Sequence, residues 1–279
     1  MKINYLGTGG GAGIPEMFCN CRICENARIL RGCELRNRSM AFIDDELCID
    51  LPCDARSSLI ERGVDARKIR YLLVTHDHYD HFMAENLLSR PKEGRPIGLY
   101  ISRGSGQGIS EKCRELRNKP PIENVSPVCC PDICFAEPFV PFTCGKYTVV
   151  PLSANHDPKA ETLNYIISAE GKNVLWLHDT GTMLGETAEY LRGTQIHFDF
   201  ISMDCTLARG KHITNEHMDI LRCAQTAEDM RRFGCVDDGT LIYLSHIGHL
   251  VECTHRELDE DARKFGFHAA YDGAVIHLE

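Results

Sequence analysis

No stretch of this chain is apolar over the roughly 20 residues that a membrane helix needs. The opening Met1-Lys2-Ile3-Asn4-Tyr5-Leu6 runs straight into Gly7-Thr8-Gly9-Gly10-Gly11, without the apolar core and cleavage site of an export signal. Membrane insertion and secretion are therefore not expected. Positive charge is also short: 31 Lys and Arg stand against 40 Asp and Glu, a net charge of -9. That balance argues against the broad basic surface that grips nucleic acid or anionic lipid, and favours small or locally recognised substrates. Nor is there a Ser/Pro/Gly-rich linker or a break in composition. The 279 residues are read as one domain, 1–279, long enough to bury a substantial core.

Cysteine is abundant instead, with 15 residues. An odd count without an export signal speaks against a disulfide framework and for reduced thiols in the cytoplasm, some of them binding metal. Cys19-Asn20-Cys21-Arg22-Ile23-Cys24 has the thiol density of a zinc knuckle that lacks one ligand, and the fourth must come from elsewhere. The competing reading is buried free cysteines, which behave as small hydrophobes. A second cysteine site at Cys129, Cys130, Cys134 and Cys144, in and just after the proline-rich stretch 118–142, is weighed against the same alternative.

The stretch that organises the chain is Thr75-His76-Asp77-His78-Tyr79-Asp80-His81, between the apolar run Tyr71–Val74 and the apolar-rich Phe82–Leu88. It reads as strand, tight loop and helix. So many imidazoles and carboxylates packed together need partners once removed from water, and a metal ion serves them all. His-x-His at a strand end can aim two nitrogens one way, while the following Asp-His pair is aimed at a second ion. Imidazole and carboxylate donors without thiolate suit zinc, iron or manganese.

Other strands are expected at Ile3–Leu6, Met40–Ile43, Leu47–Asp50, Ile97–Ile101 and Tyr147–Leu152, and then at Leu163–Ile167, Asn173–Leu177, His197–Met203 and Thr240–Leu244. The chain closes on a turn and last strand over Tyr271–Leu278. Helices are expected over 54–62, 109–117, 182–191, 216–233 and 257–265. Gly104–Gly108 is taken as a loop that either cradles phosphate or merely connects. Four times a strand delivers a potential ligand: His156, Asp179, Asp204 and His246. This recurrence places an active site along one edge of a sheet system, and two mixed sheets face to face, covered by helices outside, satisfy the order.

His76-x-His78-x-Asp80-His81, followed in order by His156, Asp179, Asp204 and His246, resembles the metallo-beta-lactamase superfamily over nearly the whole chain. The resemblance implies an α/β, four-layer αββα sandwich and a two-metal hydrolase centre holding two divalent ions, manganese or zinc. His76, His78 and His156 would hold one ion, Asp80, His81 and His246 the other, with Asp179 bridging and Asp204 orienting His217 or a ligand histidine. Within the superfamily the chain is most similar to the phosphodiesterase of the carbon–phosphorus lyase pathway. The features that carry this are the glycine-rich start, Cys19-x-Cys21-x-x-Cys24, Met203-Asp204-Cys205, the His217 region and Ser245-His246-Ile247-Gly248-His249. That likeness supplies His249 as the fourth ligand of a structural zinc with Cys19, Cys21 and Cys24, and suggests a homodimer.

The implied chemistry is hydrolysis of a small ribosyl phosphodiester, linear or cyclic, by a hydroxide shared between two ions. An alkoxide leaving group then needs a general acid, for which His217 is the candidate and His212 the alternative. Three other activities compete. A transfer-RNA 3'-end nuclease shares the metal set, but a long basic arm is missing here. Hydrolysis of another ester or lactone uses the same centre. A non-hydrolytic metal protein of the pyrroloquinoline quinone biosynthesis type also begins with glycines and clustered cysteines.

Overall fold

The computed structural model describes residues 1–88, 95–118, 129–210, 214–251 and 253–279. Two seven-stranded sheets face each other. The first contains β1 (Lys2–Gly7), β2 (Met40–Ile43), β3 (Leu47–Ile49), β4 (Tyr71–Leu73), β5 (Gly98–Ile101) and β6 (Asp132–Phe135), with the chain's last strand, β14 (Val275–His277), paired beside β1. The second contains β7 (Phe142–Cys144), β8 (Tyr147–Ser153), β9 (Leu163–Ala169), β10 (Lys172–Leu177), β11 (Phe200–Asp204), β12 (Leu241–Ser245) and β13 (His268–Ala269). Each sheet is antiparallel at one side and parallel at the other: β3 to β6 run parallel in the first, β10 to β13 in the second.

Alternation along the strands sorts side chains into three buried layers. Val174 and Trp176 of β10 point between the sheets with Ile3, Tyr5, Tyr165 and Phe200, whereas Leu175 and Leu177 point outward. Outside the second sheet lie α1 (Arg22–Leu30), α5 (Gly185–Thr194), α6 (Ile220–Arg232) and α7 (His255–Ala262). Outside the first lie α2 (Ala55–Glu61), α3 (Ala84–Leu88) and α4 (Arg103–Asn118). The architecture is the αββα sandwich. No helix among the described residues is long and apolar enough to cross a membrane.

Several expectations are corrected. Gly104–Gly108 is not a loop but the first turns of α4. Glycine is a poor helix former, yet a Cβ on Gly104 would lie 2.6 Å from the Lys159 carbonyl oxygen and one on Gly106 would lie 2.8 Å from the Phe135 ring. Close packing decides the matter. The Gly104 amide already donates to the Glu161 carboxylate at 2.7 Å, so this helix end is not a phosphate cradle. Helix α6 starts at Ile220 rather than 216, because Asp219 caps it by accepting from the Arg222 amide at 2.9 Å. Helix α1, directly after the cysteine cluster, was not anticipated. Among the described residues, no metal-capable group includes Cys129, Cys130, Cys134 or Cys144. Cys134 is exposed on β6, while Cys144 is buried between the sheets.

Candidate metal centre and active site

The parallel strands end together at one edge of the sandwich, and the loops that follow carry the site. After β4 come His76, His78, Asp80 and His81; after β8, His156; after β10, Asp179; after β12, His246. Asp204 ends β11, opposite Ser245 of the parallel β12, so the register sets it beside His246. Asp50, Asp179 and His246 each leave a strand with positive φ, at 61°, 47° and 59°. Side chains rarely adopt that conformation, and its strain is tolerated where a site needs the turn.

Two donor groups share Asp179. In the first, His76 Nε2 lies 2.9 Å from His78 Nδ1 and 3.2 Å from Asp179 Oδ2, and His156 Nε2 lies 3.5 Å from His78 Nδ1. In the second, His81 Nε2 lies 3.1 Å from His246 Nε2, 2.9 Å from Asp179 Oδ2 and 3.5 Å from Asp80 Oδ2. Asp179 Oδ1 faces His246 Nε2 at 3.0 Å. Zinc–nitrogen bonds of about 2.0–2.1 Å put tetrahedral ligands roughly 3.3 Å apart, so these separations fit ions in both places.

The far nitrogens strengthen that fit. His81 Nδ1 donates to Asp50 Oδ2 at 2.7 Å, and His246 Nδ1 donates to Thr206 Oγ1 at 2.7 Å, whose hydroxyl donates onward to the His246 carbonyl. Their Nε2 atoms are then acceptors facing each other and a carboxylate, an arrangement that only a cation relieves. Asp179 Oδ1 is buried without a hydrogen-bond partner. In the metal-free protein protons serve: burial disfavours a charged His81, but Asp179 and Asp50 outweigh it and raise its pKa well above the ordinary value. Burial likewise opposes an ionised Asp179, but the rings of His246 and His81 hold its carboxyl well below the usual range. Thr75 Oγ1 lies 3.1 Å from His76 Nδ1, and Asp157 Oδ2 lies 3.4 Å from His78 Nε2. Such partners fix which nitrogen a ligand ring presents.

The sequence reading missed Asp50, Thr206 and Asp157. Asp50 ends a strand, the signal that found the other ligands; Thr206 and Asp157 carry no signal of their own.

His217 reaches the site from the loop before α6. Its Nδ1 donates to Asp204 Oδ2 at 3.0 Å, and its ring centroid lies 5.1 Å from that of His156 and 5.8 Å from that of His246. Burial opposes charge on this ring, yet the Asp204 carboxylate outweighs it and, with Asp179, lifts the pKa to about 9. Asp204, His217, Asp179 and His246 also form a metal-capable group, but it borrows Asp179 and His246 from the other two. His212 lies outside the described residues.

The remaining group joins Cys19, Cys21, Cys24 and His249. His249 Nδ1 lies 3.5 Å from Cys19 Sγ and 3.7 Å from Cys21 Sγ, near the roughly 3.5 Å edge expected from zinc–sulfur bonds of about 2.3 Å. Burial opposes the Cys21 thiolate, but the Cys24 amide and the His249 ring outweigh it and lower the pKa to about 6, as a metal ligand requires. One segment, His246 to His249, thus serves both centres. The glycine-rich start zips along it: Gly10 N donates to Ile247 O at 3.0 Å, Ile247 N donates to Thr8 O at 2.9 Å, and a Cβ on Gly10 would lie 3.2 Å from the His246 ring. Cys21→Ala is therefore expected to lower turnover although it touches no reacting group. Full activity with a full zinc complement would disprove the coupling.

A family model described as a beta-lactamase superfamily domain matches residues 53–247. The chain belongs to the metallo-beta-lactamase superfamily. An octanoyltransferase of Porphyromonas gingivalis is 25% identical over 98% of this chain, which spans 51% of that relative's length. Coenzyme PQQ synthesis protein B of Methylorubrum extorquens is 25% identical over 87% of the chain and 74% of its own length. Among solved structures, a diphosphatase of the PhnP family superposes with a TM-score of 0.72 at 19% identity, covering 100% of this chain and 98% of that one. The short form of human tRNase Z gives 0.67 at 16% identity, covering 100% of both chains. This metallo-beta-lactamase superfamily chain shares the fold of those two structures, and the residues of the two groups that meet at Asp179 follow its strands.

Proposed function

We propose that the chain is a metal-dependent phosphodiesterase that hydrolyses a small ribosyl phosphodiester, linear or cyclic. One observation carries this reading: a histidine outside the first two donor groups, His217, stands over both of them with Nδ1 committed to Asp204. Its Nε2 is left as a proton donor, which is what an alkoxide leaving group demands.

His76, His78, His156 and Asp179 would hold one divalent ion, and Asp80, His81, His246 and Asp179 the other, with manganese or zinc as candidates. Cys19, Cys21, Cys24 and His249 would hold a structural zinc. Bound in the two shared groups, such ions acidify a water and neutralise the phosphoryl oxygens. The water oxygen bonds to phosphorus as the bond from phosphorus to the leaving oxygen breaks. His217 gives its Nε2 proton to that oxygen and is recharged by the proton the water has shed. Asp204 keeps the ring in the donating orientation, and Asp50, Thr206 and Asp157 hold ligand rings in place. The partner in this reading is a small molecule rather than a nucleic acid, and the protein works in the cytoplasm, as a homodimer.

The test is hydrolysis of an activated phosphodiester by protein reconstituted with manganese or zinc. Turnover that vanishes in Asp80→Ala supports the proposal; a fully metallated protein that fails to turn over rejects it. The octanoyltransferase relative favours a second reading, hydrolysis of an acyl thioester. A thiolate leaves without protonation, its acid having a pKa near about 8.5. His217→Ala would then leave thioester turnover intact. A metal-loaded protein that hydrolyses no ester would favour the likeness to the PQQ synthesis protein.

A further inference from the structure

We infer that Arg222, Asn155 and Gly181 form a clamp that positions the loop carrying His217, and hence the proton donor, over the reacting centre. The inference rests on the role proposed for His217.

Asn215 and Glu216 are exposed, and the buried Met218 anchors the segment only on the far side of His217. The carbonyls of the loop are held from three sides. From the first turn of α6, Arg222 Nη1 donates to Thr214 O at 2.8 Å and His217 O at 3.1 Å, while Nη2 donates to Asn215 Oδ1 at 3.2 Å. From the loop after β8, Asn155 Nδ2 donates to Asn215 O at 3.2 Å and Thr182 O at 3.1 Å. Gly181 lies two residues after Asp179, and a Cβ there would sit 1.6 Å from Asn215 O. Only glycine lets the loop come so close.

The clamp is also wired to the metal ligands. Asn155 precedes His156, and its carbonyl accepts from the Gly181 amide at 3.0 Å. The segments that carry His156 and Asp179 thus hold the loop that carries the acid. A planar guanidinium reaches three acceptors at once, which a lysine ammonium on a flexible stem does not reproduce. A displacement of about 1 Å at a reacting group costs on the order of 100-fold in rate.

Arg222→Met keeps the aliphatic stem and removes the donors. Turnover of an alkyl phosphodiester is expected to fall about 10- to 100-fold, while that of a nitrophenyl ester, metal content and KM stay within about twofold of wild type. Arg222→Lys should recover part of the loss, and Arg222→Met should add nothing in a His217→Ala background. Gly181→Ala should reproduce the pattern, which guards against a folding defect in the arginine variant. In metal-free protein, Arg222→Met should speed amide exchange at residues 214–217. Equal losses on both esters, further loss in the His217→Ala background or unchanged exchange would each overturn the clamp. If His217→Ala itself shows no leaving-group bias, the proposed function fails, and the exchange measurement still decides whether the loop is clamped.

Discussion

Asp179→Ala will empty both shared metal positions and leave the cysteine site filled. Its Oδ2 faces His76 of one group and His81 of the other, and its Oδ1 faces His246, so one substitution removes a donor from both groups. The loss also leaves Nε2 of His81 and His246 facing each other at 3.1 Å without the carboxylate that offsets a cation between them. Losing the ions forfeits several kcal/mol of charge stabilisation, so turnover should fall on the order of 10⁴-fold or more. Elemental analysis should find the metal proposed for Cys19, Cys21, Cys24 and His249 undiminished. Retention of both active-site ions would show that Asp179 does not bridge.

The second large effect belongs to His217. His217→Ala should cost about 10²- to 10⁴-fold on alkyl diesters and far less on nitrophenyl esters, whose leaving oxygen departs without a proton. The acid must carry its proton, so activity falls as pH rises through the His217 pKa. Asp204 lifts that pKa, so Asp204→Asn should move the alkaline limb of the kcat profile to lower pH. A limb that stays in place would assign the acid to another group.

The fold and most of the site were legible because their signals are local. His76, His78, Asp80 and His81 declare themselves within one loop, and His156, Asp179 and His246 each follow an apolar strand. The link from Cys19, Cys21 and Cys24 to His249 was not legible from spacing, since nothing local joins one end of the chain to the other; resemblance alone suggested it. Gly104–Gly108 misled because glycine propensity points to a loop, whereas the close approach of Lys159 to Gly104 and of Phe135 to Gly106 requires residues without side chains at those two helical positions. The entry to α6 was misplaced because Glu216 and His217 suit a helix, while the cap at Asp219 starts it later. Asp50 was overlooked although it follows β3 as the ligands follow their strands, because it orients a ligand ring rather than serving as a ligand itself.

The donors of the second group come from both sheets: Asp80 and His81 follow β4 of the first, Asp179 and His246 follow β10 and β12 of the second. Hydrogen bonds already cross that seam, among them the Tyr165 hydroxyl donating to Val74 O at 2.5 Å and the Tyr5 hydroxyl donating to Ser202 Oγ at 2.6 Å. An ion bound there would be a further rivet. At 100 times its dissociation constant, a ligand that binds only the folded state stabilises it by about 2.7 kcal/mol. Chelation should lower the melting temperature as well as stop turnover. A cell starved of metal would then hold fewer copies of this protein, because the halves of the empty form part more readily and expose the layer between them to proteases.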